Sequence, residues 1–199
     1  MMTITYKLSN SLYLNITNRC PCNCTFCIRH NGDGAYGSDS LWLEHQPTAD
    51  EVIAALKEHD LSSYDEIIFC GFGEPTCELD ILIKAAEYIK SVCTTPIRLN
   101  TNGLSDRINK KPTANLLKGL IDTVSISLNA PEEEEYNAVT KPSFDNAFES
   151  MLAFAVDCKG YVNSVMLTVV DVIPKEQIEA SKKLADKLGI QLRVREYSE

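Results

Sequence analysis

Short apolar runs alternate along the chain with longer stretches in which apolar residues recur at every third or fourth position. Leu12-Tyr-Leu-Asn-Ile-Thr17 reads as a first strand, and residues 66–70, 97–100, 123–128, 162–170 and 191–195 as five more. Between them, Thr48 as N-cap and Glu51 as its capping-box partner open a helix whose apolar face is Val52, Ile53 and Leu56. Helices follow over residues 79–92, 114–120, 144–158 and 175–188, the last stopped by Gly189. Pro131 and the glutamates at 132–135 mark another start, with proline at the first helical position and carboxylates favoured by the dipole. That run reads as a solvated helix end rather than an acidic binding site.

Strands joined by crossover helices are parallel, and several here read as apolar on both faces, as in a helix-covered sheet. A closed eight-stranded barrel takes about 250 residues. Six strands in 199 residues therefore predict an α/β fold, a partial (β/α)6 TIM-like barrel open on one side, forming a single domain over 1–199. A flavodoxin-like open sheet is the alternative topology, but it gives no reason for the motif that follows the first strand.

That motif is Cys20-Pro-Cys22-Asn-Cys24-Thr-Phe-Cys27, in which Cys20, Cys24 and Cys27 are spaced Cys-x3-Cys-x2-Cys. Thiolates this close cannot all face one centre from a strand or a helix face; they need a tight loop, which Pro21 and Asn23 favour. Three of them suit an iron–sulfur cluster that keeps one iron open better than they suit closed tetrahedral zinc. The competing class is a non-catalytic zinc-binding or interaction module on Cys20, Cys22, Cys24 and Cys27, although no second cysteine or histidine pair follows to complete it. Cys70, Cys77, Cys93 and Cys158 read as small buried hydrophobes. His30, His45 and His59 have no metal spacing.

The cysteine spacing, with the aromatic Phe26 before the last cysteine, resembles the signature of the radical S-adenosylmethionine (radical SAM) superfamily, and the resemblance covers essentially the whole chain. It implies a [4Fe-4S] cluster on Cys20, Cys24 and Cys27, whose open iron takes the amino and carboxylate groups of SAM, with Cys22 not a ligand. Gly71-Phe-Gly-Glu-Pro75 resembles the superfamily's glycine-rich segment, which implies that Gly71, Phe72, Gly73 and Glu74 hold the methionine amino group. By the same resemblance Thr101, Asn102, Ser127 and Asn129 contact the methionine carboxylate and the ribose, and Phe26 lies beside the adenine. Asp171 and Arg195 end the last two strands and are further candidates. Ordinary turn chemistry is the plain alternative, above all at Asn102-Gly103. The implied reaction is reductive cleavage of SAM to a 5′-deoxyadenosyl radical that abstracts hydrogen from an unnamed substrate, small molecule or protein, fed by an electron donor such as flavodoxin or ferredoxin. Cys22, Phe26-Cys-Ile-Arg-His-Asn31 and Leu41-Trp-Leu43 resemble a small bacterial group associated with TatD-type nucleases. A glycyl-radical-enzyme activase, of similar size, is the alternative enzyme reading, although this chain lacks that group's cysteine-loop sequence.

The net charge of −9 argues against nucleic acid as the main partner. No apolar run reaches the roughly eighteen residues of a membrane span. The start, Met1-Met-Thr-Ile-Thr-Tyr-Lys7, holds no apolar signal segment, so a cytoplasmic protein is expected. Residues 29–46 make a long connection, rich in glycine and aspartate, of the kind that serves as a lid. It is expected over the mouth, with Tyr36 and Trp42 toward the cofactor. The flank beside the sixth strand is then left for a large substrate, a partner protein or a second subunit.

Overall fold

The computed structural model describes residues 2–35 and 37–196. In chain order the elements are β1 (Thr5–Leu8), β2 (Ser11–Leu14), α1 (Ala49–Lys57), β3 (Glu66–Phe69), α2 (Leu79–Val92), β4 (Ile97–Thr101), α3 (Ser105–Asn109), β5 (Thr123–Ser127), α4 (Glu133–Thr140), α5 (Ala147–Cys158), β6 (Ser164–Val170), α6 (Lys175–Leu188) and β7 (Gln191–Arg195). They build one seven-stranded sheet in the order β1-β2-β3-β4-β5-β6-β7. All pairings from β2 to β7 are parallel, so the expected six-stranded parallel sheet is present and not closed.

An extra strand covers one edge. β1 pairs antiparallel with β2 through a turn at Ser9-Asn10, where Ser9 adopts a left-handed φ of 53°. The first parallel strand also ends at Leu14, not residue 17, because the chain leaves the ladder to begin the cysteine loop. Residues 114–120 form only a 3-10 turn, Ala114–Leu117; the α-helix of that crossover is α3. α4 begins after Glu132, so Pro131 precedes the N-cap. α5 starts at Ala147, because Asn146 sits at φ 54°.

The capping box forms as expected: Thr48 N donates to Glu51 Oε2 at 2.8 Å and Glu51 N to Thr48 Oγ1 at 3.2 Å. Gly189 closes α6 at φ 63°.

The sheet is not apolar on both faces. Ile67, Phe69, Leu99, Val124, Ile126, Leu167 and Val169 point outward and are buried with Leu56, Leu82, Ile89, Met151 and Phe154 of the covering helices. The residues between them, among them Arg98, Asn100, Ser125, Ser127, Thr168, Arg193 and Arg195, point inward. The main core is therefore the shell between sheet and helices, and the inside of the barrel is polar. No helix among the described residues is long and apolar enough to cross a membrane.

Candidate functional site

The parallel strands enclose a cavity of about 720 Å³. Tyr6 and Tyr13 at one edge of the sheet and Arg193 and Arg195 at the other line the same space, so the sheet curls round on itself. Cys20, Cys24, Cys27, Phe26, Gly71, Phe72, Gly73, Glu74, Thr101, Asn102, Ser127 and Asn129 all line it, and so does Arg195. Asp171 and Trp42 do not.

The cysteine loop is held from below by α4. Asn23 N donates to Thr140 O at 3.0 Å, Thr25 N to Val139 O at 2.9 Å and Ser143 N to Pro21 O at 2.9 Å, with a bridge between Cys22 and Pro142. Cys22 is buried, whereas Cys20, Cys24 and Cys27 are half-buried; all four line the cavity. A hydrogen bond from the Cys22 thiol holds Cys20 and Cys24 below the ordinary thiol range, and the same bonds push Cys22 far above it. Arg29 Nε donates to Cys27 Sγ at 3.4 Å, and Asn102 Nδ2 lies 3.7 Å from Cys22 Sγ and 3.9 Å from Cys20 Sγ. Among the described residues no three His, Cys, Asp or Glu side chains converge as a single metal ion requires.

The glycine segment is shaped first by packing. A Cβ on Gly73 would collide with the carbonyl oxygens of Thr17 and Arg19, and one on Gly71 with the Asn15 amide. Glu74 N closes this seat on Arg19 O at 2.8 Å. The Glu74 carboxylate is buried, 3% exposed. Its Oε1 accepts from Thr76 Oγ1 at 2.8 Å, Thr76 N at 3.1 Å and Thr101 Oγ1 at 2.7 Å, and its Oε2 from Asn102 N at 2.7 Å. Burial pushes this carboxyl above its ordinary range against the pull of those bonds. Glu74 thus ties the segment to the end of β4, and Oε2 keeps a lone pair for another donor.

Residues 29–46 pack beside the mouth. Leu41 and Ala35 are buried with Tyr6 and Phe72, and Ile28, Ala35 and Leu41 line the cavity. Trp42 is 40% exposed and stacks edge-on against Phe72 at 5.0 Å, so it stands behind Phe72, not in the cavity. Tyr36 lies outside the described residues. Three amide side chains fasten this connection to the end of β2. Asn15 Nδ2 donates to Leu41 O at 2.8 Å, Asn18 exchanges two bonds with Leu43 at 2.9 and 3.1 Å, and Gln46 Nε2 donates to Ile16 O at 2.8 Å. Asn15, Asn18 and Gln46 were not legible as site residues. Their only sequence signal is amides flanking the cysteine loop.

Two further asparagines carry unanswered groups. Asn129, at φ 62°, and Asn100 each have a buried Oδ1 without a partner, and both line the cavity. A buried acceptor left unpaired costs about 1–3 kcal/mol, so each is open to a donor from outside the protein.

A family description for the radical SAM superfamily matches residues 14–187. The chain belongs to the radical SAM superfamily. Members of this superfamily use a [4Fe-4S] cluster and SAM. The chain is 27% identical over 149 residues to a protein of Synechocystis sp. described as a probable dual-specificity RNA methyltransferase RlmN, covering 73% of this chain and 39% of that one. It is 25% identical over 169 residues to the GTP 3′,8-cyclase of Lactiplantibacillus plantarum, covering 82% and 46%. The chain thus spans less than half the length of either. Among solved structures, Streptococcus suis SuiB bound to its precursor peptide SuiA superposes with a TM-score of 0.73 at 16% identity, covering 98% of this chain and 40% of SuiB. At that identity the likeness concerns the fold alone.

The two curated relatives are enzymes by description, and a further one, the dual-specificity RNA methyltransferase RlmN of Sulfurimonas denitrificans, is 26% identical over 207 residues; relatives in this superfamily are thus described as acting on RNA. The net negative charge is therefore no ground for excluding nucleic acid as a substrate. The radical SAM match begins at Leu14, at the strand that delivers the cysteine loop, and runs through α6. It leaves β1 and β7, the two edges of the sheet, outside.

Proposed function

We propose that residues 1–199 form one radical SAM core domain, in which Cys20, Cys24 and Cys27 hold a [4Fe-4S] cluster and SAM occupies the adjoining part of the cavity. The observation that carries this reading is convergence: a three-thiol loop, a glycine segment and polar strand ends from β4 and β5 all line one chamber. The donor set fits. All four thiols of the loop line the chamber, Cys22 the most buried of them, and the free lone pair of Glu74 Oε2 and the unpaired Oδ1 of Asn129 await donors of the kind that an amino group and ribose hydroxyls supply. Gly71, Phe72, Gly73 and Glu74 would take the methionine amino group; Thr101, Asn102 and Ser127 the carboxylate and ribose; Phe26 the adenine.

When bound, cluster and SAM supply the one-electron chemistry that ends in a 5′-deoxyadenosyl radical able to abstract hydrogen. The chain itself orients the ligand and excludes water: Phe72, backed by Trp42, and Leu41 and Ala35 form an apolar wall beside the cysteine loop. The electron donor is a flavodoxin or ferredoxin. The substrate, small molecule or protein, enters by the flank beside β7, the edge on which a second subunit would also dock. Neither the zinc module nor a glycyl-radical-enzyme activase is favoured, since the chain matches the radical SAM family and neither relative named above is described as such an activase.

Anaerobic reconstitution with iron and sulfide, followed by reduction with dithionite in the presence of SAM, tests the proposal. It predicts an iron–sulfur absorption band and 5′-deoxyadenosine as product. A colourless protein that binds zinc and leaves SAM intact would refute it.

A further inference from the structure

The inner face of the barrel carries positive charge that the cofactor reading does not use. Arg98 of β4 and Arg193 and Arg195 of β7 all line the cavity. The register explains why they share it. Arg193 pairs with Thr168 and Arg195 with Val170, and these β6 partners line the cavity too. Arg193 and Arg195 are two residues apart on one strand and so share a face. Curling of the sheet brings β7 across from β3: the Glu66 carboxyl feels Arg193 as well as Arg98, and the Cys70 thiol feels both Arg195 and Arg98.

Little inside the chamber answers this charge. Arg98 donates to Glu66 Oε2 at 3.1 Å, but its Nε is buried without a partner. Glu74 is committed to Thr76, Thr101 and Asn102, and Glu196 stands at the exposed rim. Interleaved with the arginines are neutral hydrogen-bonding groups: Asn100 with its unpaired Oδ1, Ser125 and Thr168. In a chain with 28 acidic and 19 basic residues, three guanidinium groups facing one cavity are not what bulk composition would place there. Arg193 and Arg195, on β7 at the sheet's other edge, stand apart from the residues proposed for the cofactor, which follow β2 to β5; Arg98 lies within β4, three residues before Thr101.

We propose that this arginine wall binds the oxyanion of a small substrate, a carboxylate or a phosphate, and so fixes the substrate within the chamber. A guanidinium presents a planar fork of N–H donors that matches either group in a bidentate manner, and the buried Nε of Arg98, unpaired within the protein, supplies a further donor to a ligand. The inference rests on the proposed reading of the cavity, since it takes the β2–β5 side as the cofactor's.

The test is calorimetric titration of the reconstituted protein with inorganic phosphate and, separately, with succinate, at ionic strength fixed with chloride, with and without saturating SAM. The expected result is saturable binding of at least one anion that persists with SAM present. Arg193→Gln and Arg195→Gln should each weaken it ten-fold or more, while Lys182→Gln on the outer surface leaves it unchanged. Binding of phosphate alone selects a phosphate group and binding of succinate alone a carboxylate; either supports the proposal. Because Arg98→Met removes a partner of Glu66 and its failure to fold would be uninformative, the exposed β7 arginines carry the test. No saturable binding to the wild type, equal loss in Lys182→Gln, or anion binding abolished by SAM would overturn the proposal; the last result would assign the arginines to the SAM carboxylate. If the anions bind but SAM does not, the cofactor reading fails and the arginine wall stands.

Discussion

At the scale of single residues, the glycines and the glutamate after β3 serve the protein's own packing as much as any ligand. Gly73→Ala drives a methyl into the Thr17 and Arg19 carbonyls. It should cost about 1–3 kcal/mol of stability in denaturant unfolding, as overpacking does; a loss near zero would show that the segment is not seated as described. Glu74→Gln should weaken SAM binding by about 1.5–3 kcal/mol, the range for a hydrogen bond to a charged group, with iron retained. Calorimetry on the reconstituted variant checks this, and unchanged affinity would reduce Glu74 to its ties with Thr76, Thr101 and Asn102. The cysteine loop and the strand-end polar residues were legible because their spacing is local. Asn15, Asn18 and Gln46 were not, because their partners lie 25 to 30 residues away in the chain, and nothing in a short window marks an amide as a fastener.

At the scale of elements, local signals predicted what local chemistry controls. The capping box at Thr48 is the clearest case. Hydrogen bonds from the Thr48 backbone, then from His45 and the Thr48 hydroxyl, lower the Glu51 carboxyl from 4.5 to about 2. Its depressed native value means that the unfolded chain binds the proton more tightly, so Glu51's contribution is present above 4.5 and lost as the pH falls toward 2. A carboxyl titration of Glu51 by NMR should show the low value, and Thr48→Ala should move it back up and cost about 1 kcal/mol. An unshifted Glu51 would contradict the capping geometry. What the pattern misjudged was tertiary. The short run Thr5-Tyr-Lys-Leu8 carries too little pattern to mark a strand by itself; it becomes one by pairing with β2 across the Ser9-Asn10 turn. The alternation in Ile97-Arg-Leu-Asn100 and Gln191-Leu-Arg-Val-Arg195 was visible, but the expectation of a sheet covered on both faces masked it. It records a polar chamber, not a second apolar layer.

At the scale of the whole molecule, the curled sheet separates two tasks. The outward face holds the fold together through an apolar shell, which frees the inward face for charge and hydrogen bonding. β1 covers one edge of the sheet; the other edge, β7, has no strand beside it among the described residues, and Val194 there is 46% exposed. Among the described residues the arginine pair therefore sits at the uncovered edge, opposite the edge near the strand that delivers the cysteine loop. The central claim is that Cys20, Cys24 and Cys27 hold the cluster while Cys22 is not a ligand. It is tested most directly by iron and sulfide content after anaerobic reconstitution of Cys22→Ala and Cys24→Ala. The account predicts about four irons in the Cys22 variant, as a [4Fe-4S] cluster requires, and loss of the cluster in the Cys24 variant. Equal loss in both would contradict it.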